Sequence, residues 1–397
     1  MARPPTASRP ILIAGAGIGG LATALALAQR GYKCRVLERS AQRNEAGAGI
    51  QIGPNGVAAL RALGVAARLE PQVGIPDELR VRDAQRGGLL ATLPLGDTIA
   101  QRLGAPYWTA HRADLHGALL AQAQRNPAIV IQMGFEADRM EATADGVQLT
   151  SADGTKATGA ALIGADGMWS KVRRYVTDGI NLRFTGQRAY RAVIPTSQVP
   201  LPFQTNAVGL WLAPSVHVVH YPVRGGAETA VVVILKGSAL AQRWSEPASR
   251  DTLLHGVRDL TPSLREFLAA ADQWASWGLY AATPLPRWSN GRVTLVGDAA
   301  HPLLPFLAQG GVLALEDALT LAACVAKSDD NLPHGFEAYA KARMKRAARV
   351  ASAARRNGTI YHLAGAGALA RNLVMKATPA PRLIGQYDWL YSWTPPA

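Results

Sequence analysis

Gly15, Gly17 and Gly20 stand in GxGxxG spacing, directly after an apolar run and directly before a helix-like one. In that setting Gly15 permits a tight turn and Gly17 lets a backbone approach a pyrophosphate. Gly20 lets the helix pack closely on a sheet. Phosphates would sit at the helix N-terminus, where Ile18 begins, on free N–H groups and the positive end of the dipole. Glu38 closes the next strand-like run, where a carboxylate can accept hydrogen bonds from ribose hydroxyls. Arg39 follows it and joins the same candidate set. The triplet GAG recurs at 47–49 and 365–367, but neither copy follows a strand and opens a helix in this way.

This fingerprint alone does not separate NAD from FAD. Two later segments bear on the choice. Gly164-Ala165-Asp166-Gly167 follows the strand-like ALIGA and precedes Ser170 and Arg173. Gly297-Asp298-Ala299-Ala300-His301-Pro302 follows VTLV and leads to Gln309-Gly310-Gly311 and Glu316-Asp317-Ala318. Asp298 at a strand end could bond the ribityl hydroxyls of a flavin. The Gly310-Gly311 backbone could bring N–H groups and a helix dipole to the isoalloxazine edge.

These residues need an α/β frame. Pro10 to Ala14 reads as a buried strand, Ile18 to Arg30 as a helix and Lys33 to Glu38 as a parallel strand. Asn55–Leu63 and Asp114–Arg125 read as helices, and Asp-Gly turns follow at 145–146 and 153–154. The stretch 183–285 changes character: VGLWL, VHVVHYPV and TAVVVILKG alternate as in an antiparallel sheet. The α/β pattern then returns with a strand at 292–296 and a helix at 312–327, and a long basic helix spans roughly 335–362. The expected organisation is a Rossmann-like FAD-binding domain in two pieces, 1–182 and 286–330. A mostly antiparallel substrate domain, 183–285, is inserted between them, and 331–397 forms a C-terminal helical segment and tail. Residues 1–9 read as a loose leader.

With 48% hydrophobic and 18% charged residues the chain is globular, not disordered. Its net charge of +14 suits anionic partners, or simply an Arg-rich solvated surface. The basic residues of 341–356 are read as such a solvated face, not as a nucleic-acid site. Only Cys34 and Cys324 are present, which indicates no disulfide framework and no thiolate metal site and fits a cytoplasmic setting. Residues 11–28 are uncharged but Gly-rich at their centre, so they are read as strand, turn and helix and not as a membrane span.

Taken together the motifs resemble the class A, single-component flavin monooxygenases of the para-hydroxybenzoate hydroxylase type. The residues that carry the likeness are GAGIGG (15–20) with Glu38, GAGIQIGPNG (47–56), HRADL (111–115), GADGMWSKVR (164–173), GDAAHPLLPFLAQGG with LED (297–317), and the closing QYDWLYSW (386–393). Within that family the chain is most similar to salicylate, 3-hydroxybenzoate and 6-hydroxynicotinate hydroxylases. The resemblance implies FAD as the bound cofactor, and NADH or NADPH as a transient co-substrate without a second fold. It implies O2 as oxidant, a C4a-hydroperoxyflavin and a small aromatic acid or phenol as substrate, with a homodimer as a family-level expectation. It places Arg112 near the FAD pyrophosphate, and Asp166 and Arg173 in a segment that serves FAD and NAD(P)H.

The substrate pocket is expected between the aromatic sheet and the loop 303–307, with Tyr190, Trp211, His217 and Tyr221 as sheet-side candidates. Relatives carry His at the positions of Gln51 and Phe306 and Gln at that of Pro305. Here that wall is less polar, which bears on the substrate more than on the reaction. Strand alternation puts His217, Val219 and Tyr221 on one face and His220 on the other. In similar hydroxylases a His and a Tyr four residues apart both reach the substrate. His217 is therefore expected to accept the phenolic proton or orient the phenolate, with Tyr221 positioning it. An ordinary histidine pKa near 6.5 suits that task. The competing expectation on the same scaffold is an FAD-dependent reductase or dehydrogenase.

Overall fold

The computed structural model describes residues 9–41, 48–143, 145–239 and 246–397, so the leader 1–8 and Gly47 lie outside the described residues. A six-stranded sheet runs in the order Ser289–Asn290, Val293–Leu295, Ala161–Gly164, Ile11–Ala14, Cys34–Glu38, Ile129–Met133. All its pairs are parallel except the first. Ile11–Ala14 is buried along its whole length, as a strand covered on both faces requires. Helix Ile18–Ala28 packs on helix Gly310–Ala326 across the carboxyl ends of these strands. Those ends are where an open α/β sheet binds its ligand.

The second sheet has eight strands, in the order Glu246–Ala248, Trp274–Ala282, Leu182–Pro195, Glu228–Lys236, Val216–Val223, Ala207–Ala213, Glu78–Asp83, Leu89–Pro94. Six of its seven neighbouring pairs are antiparallel, and one, Ala207–Ala213 with Glu78–Asp83, is parallel. The last two strands correct the expected boundary at 182, because they come from the first piece of the chain. ELRVRD finds its partner Ala207–Ala213 more than a hundred residues later, and LLATLP joins the sheet only through ELRVRD. One face of this sheet is sealed by helices Arg250–Gly256 and Pro262–Ala269, through Leu253, Leu264 and Phe267 against Val218, Val231 and Val233. The other face turns toward the parallel sheet. No helix among the described residues is long and apolar enough to cross a membrane.

The long helix is Leu332–Tyr361, opened by Asn331, whose side chain accepts from the His334 N–H. Its basic stripe is not uniformly solvated, contrary to expectation. Arg343 is 2% exposed and pairs with Asp317 at 2.8 Å and Glu316 at 2.7 Å. Arg346 bonds Glu316 and the carbonyls of Trp389 and Leu390, fastening the C-terminal tail to this core. Asn55 bonds Glu316 and Gln309, and His301 pairs with Asp317. Buried carboxylates survive only when paired in this way.

Burial alone would raise the Asp317 carboxyl, but His301 and Arg343 override it and hold the group at about 2. A depressed acid contributes stability that is present above its ordinary value and lost as pH falls through the folded one. The window here is about pH 4 down to about 2. Across it, chemical denaturation should show the stability gap between wild type and Asp317→Asn shrinking by on the order of 2 kcal/mol. A gap that does not change with pH would show that Asp317 binds protons alike in the folded and unfolded states.

Candidate active site

A cleft of about 340 Å³ lies between the two sheets. Its first wall is the glycine loop and the carboxyl ends of the parallel strands. Gly15 has φ +106°, and a Cβ there would stand 2.5 Å from the Ala165 carbonyl oxygen. At Gly20 a Cβ would stand 1.9 Å from the Gly15 oxygen, so the helix can seat only on glycine. Gly17 differs: no atom lies within 4 Å of its Cβ position, and it lines the cleft with Ile18. Glu38 holds the loop by accepting from the Ala16 N–H at 2.8 Å and the Ser40 N–H at 2.9 Å. Each carboxylate oxygen keeps a further lone pair. Arg39 is exposed and lies outside the cleft lining.

Asp298, Gly310 and Gly311 line the same wall, at the opening of helix Gly310–Ala326. Neither that helix nor Ile18–Ala28 has an acid in its first turn, so both positive dipole ends face the cleft uncompensated. Burial raises the Asp298 carboxyl, opposed by His301, Arg112 and Arg173. Arg112 also lines the cleft.

Asp166 and Arg173 lie beside the cleft and outside its lining, which Ala165, Gly167 and Met168 form here. Asp166 is occupied by the Ser170 hydroxyl and the Lys171 and Val172 N–H groups, which close its own turn. Arg173 is 3% exposed and donates to the carbonyls of Met168, Asp298 and Ala299. It clamps the 167–168 loop to the 298–299 loop, and shapes the cleft from behind.

The second wall is the open face of the eight-stranded sheet. His217, Val219 and Tyr221 line it together, with Arg191, Val232 and Ile234 from neighbouring strands. Trp211 and Tyr190, expected on this wall, are on the other face. Trp211 donates its Nε1–H to His220 at 3.1 Å, and Phe203 stacks on Phe267 beside them. Tyr190 packs with Phe267 and Trp274 in the same sealed core. Period-two alternation fixes which residues share a face, but an almost wholly apolar strand does not reveal which face is open.

His217 is buried, and its Nδ1 lies 2.8 Å from Nε2 of His362. His362 Nδ1 in turn lies 2.9 Å from the Gln187 side-chain amide. Burial, then His362, holds His217 well below its ordinary pKa, and burial puts half-buried His362 at about 4. Both rings are neutral at pH 7, which corrects the expectation of a histidine titrating near 6.5. A neutral imidazole has one donor and one acceptor nitrogen. With the Gln187 amide donating, His217 presents an Nε2–H. With that amide turned over and accepting, every bond in the chain reverses and His217 presents an Nε2 lone pair.

Burial raises the Tyr221 hydroxyl to about 12, and the Gln51 amide bonds it. Gln51 also accepts from Tyr107 at 2.8 Å. Leu304 and Pro305 close the cleft opposite the sheet, while Phe306 turns inward, its ring centroid 5.6 Å from that of His217. Sequence reasoning missed Arg191, His362, Gln187 and Tyr107. Arg191 left little signal, being one of three arginines in the strand Leu182–Pro195. It stacks 3.6 Å from the Trp277 ring centroid, and burial lowers it to about 9. Its Nε is buried with no hydrogen-bond partner among the described residues.

Comparison with known proteins decides the family. The FAD binding domain model matches residues 8–354. The chain belongs to the FAD binding domain family. It is 38% identical to a 3-hydroxybenzoate 6-hydroxylase of Polaromonas naphthalenivorans, over 98% of this chain and 96% of that one. It superimposes on Klebsiella pneumoniae HpxO, solved with FAD and uric acid, with a TM-score of 0.84 and 26% identity, over 95% of each chain. A salicylate hydroxylase substrate complex gives a TM-score of 0.80 at 26% identity, over 98% of this chain and 99% of that one. The residues of the cleft fit an FAD. The open Gly17 position, two uncompensated helix N-termini and the unpartnered Arg191 Nε all call for an anionic, many-acceptor ligand.

Proposed function

We propose that this protein is an FAD-dependent monooxygenase that hydroxylates a small aromatic acid or phenol, with NADH or NADPH as reductant and O2 as oxidant. One observation carries the reading: a cleft whose one wall fits FAD has, on its other wall, the buried His217, bonded behind to the half-buried His362. In balance, the phenol, NAD(P)H, a proton and O2 become the hydroxylated phenol, NAD(P)+ and water. Bound FAD supplies the reductive activation of O2 and the electrophilic oxygen.

The chain's own residues supply the rest. Gly17 and the N-terminal amides of Ile18–Ala28 would hold the pyrophosphate, with Glu38 on the adenosine ribose and Arg112 nearby. Asp298 would take the ribityl hydroxyls, and the Gly310–Gly311 amides the ring edge. His217 accepts the phenolic proton at Nε2 as its own Nδ1 proton passes to His362. The added positive charge then rests on His362, which is only half-buried, so it is solvated better than it would be on His217. Tyr221 and Gln51 fix the ring's orientation, and Leu304, Pro305 and Phe306 exclude water.

Arg112→Ala should weaken FAD retention about tenfold through loss of a charge-assisted contact, as read by flavin titration of the apoprotein. Unchanged affinity would remove Arg112 from the cofactor set. The reading as a whole is tested by NAD(P)H oxidation across hydroxybenzoates, hydroxypyridines and nitrophenols with product identification. Oxidation that no aromatic compound stimulates would overturn it in favour of a reductase.

A further inference from the structure

Behind the cleft lies a second cavity of about 180 Å³. It shares Gln51, His217, Val219, Pro305 and Ala308 with the cleft, so one histidine borders both. Its far lining is aliphatic and includes Leu79, Val81, Leu93, Val208, Leu210 and Met375. No Lys, Arg, Asp or Glu lines it among the described residues. The polar groups at its edge are already engaged. Tyr107 donates to Gln51, and Asn357 bonds the hydroxyls of Tyr361 and Tyr387.

An ionised carboxylate is strongly disfavoured in such a space, since no Lys or Arg among the described residues of its lining pairs it. Hydrocarbon is favoured there. The volume exceeds that of an apolar cavity of about 150 Å³ that takes benzene. The cleft's arginines, Arg112 and Arg191, lie outside the inner lining, Arg191 against Trp277.

We propose that the preferred substrate is a phenol bearing an apolar substituent, alkyl or aryl, seated in the inner cavity with its hydroxyl at His217. This rests on the hydroxylase reading above and narrows it. It sets the chain apart from 3-hydroxybenzoate 6-hydroxylase and salicylate hydroxylase, whose named substrates carry a carboxylate. A hydroxybenzoate here would have to leave the inner cavity empty and turn its carboxylate to Arg191.

The test compares phenols that differ only in the meta substituent: 3-hydroxybenzoate, 3-propylphenol and 3-phenylphenol. The FAD-loaded enzyme is assayed for kcat/KM of product formation, and binding is read from perturbation of the flavin absorbance. The expected result is at least a tenfold higher kcat/KM for the apolar phenols. Leu210→Trp and Val81→Phe, which fill the cavity from two neighbouring strands, should each weaken 3-propylphenol binding at least tenfold. A kcat/KM for 3-hydroxybenzoate equal to or above that of the apolar phenols overturns the inference and leaves the hydroxylase standing. So does undiminished 3-propylphenol binding in a folded filled variant. Turnover of none of the three overturns both.

Discussion

Gly17→Val should give a folded protein that no longer retains FAD. The backbone at Gly17 has φ −72° and ψ −176°, which any residue adopts, and its Cβ position is open. The fold therefore has no reason to object. The branched side chain would project into the cleft, where the helix N-terminus offers its amides. Losing two charge-assisted hydrogen bonds there would weaken FAD binding roughly a hundredfold or more. Gel filtration followed by the visible spectrum of the flavin reads this directly, with thermal unfolding of the apoproteins as control. A variant that retains stoichiometric FAD would show that the pyrophosphate does not lie on this loop. Gly20→Ala is the contrasting case, since its Cβ meets backbone at 1.9 Å and should damage the fold itself.

His217→Ala should keep its FAD and lose about a hundredfold in substrate-dependent hydroxylation, the low end of what a positioned proton acceptor contributes. More of the reducing equivalents should escape as peroxide, because the phenol is no longer activated in step with oxygen. His220→Ala should differ, since its ring lies in the sealed core with Trp211 and Phe267 and acts on stability. The pH profile gives an independent reading. Burial holds both His217 and His362 below the neutral range, so each is neutral at pH 6 and above and becomes charged only in acid. Wild-type hydroxylation should show no histidine inflection near pH 6.5. Coupled turnover equal in wild type and His217→Ala, or an inflection near 6.5 that the substitution removes, would contradict the assignment.

Much of the first wall was legible because its chemistry is local. A strand, three glycines and a helix sit within eighteen residues, and Gly15 and Gly20 meet steric conditions that short-range geometry imposes. The shared face of His217 and Tyr221 was legible for the same reason, since pleating alternates side chains wherever the strand lies. The phase of the apolar strands was not, so Trp211 and Tyr190 were placed in a pocket they turn away from. Arg191 was hidden because, beside Arg183 and Arg188 in the same strand, it reads as a surface residue until its partner Trp277 is known. His362 was beyond reach, since it meets His217 from 145 residues away at the end of the long helix. Arg343 looked like one more solvated cation until Glu316 and Asp317 were found beneath it. In each case the missing information is a contact between distant segments, which no local pattern encodes.

The central claim is that the bound cofactor puts one atom of molecular oxygen into an aromatic ring. The direct measurement is turnover of an accepted phenol under 18O2, with NAD(P)H consumption and product mass recorded together. The account predicts one 18O atom in each product molecule, and one NAD(P)H consumed per product. Product without the label, or flavin turnover that never places oxygen in the ring, would contradict it.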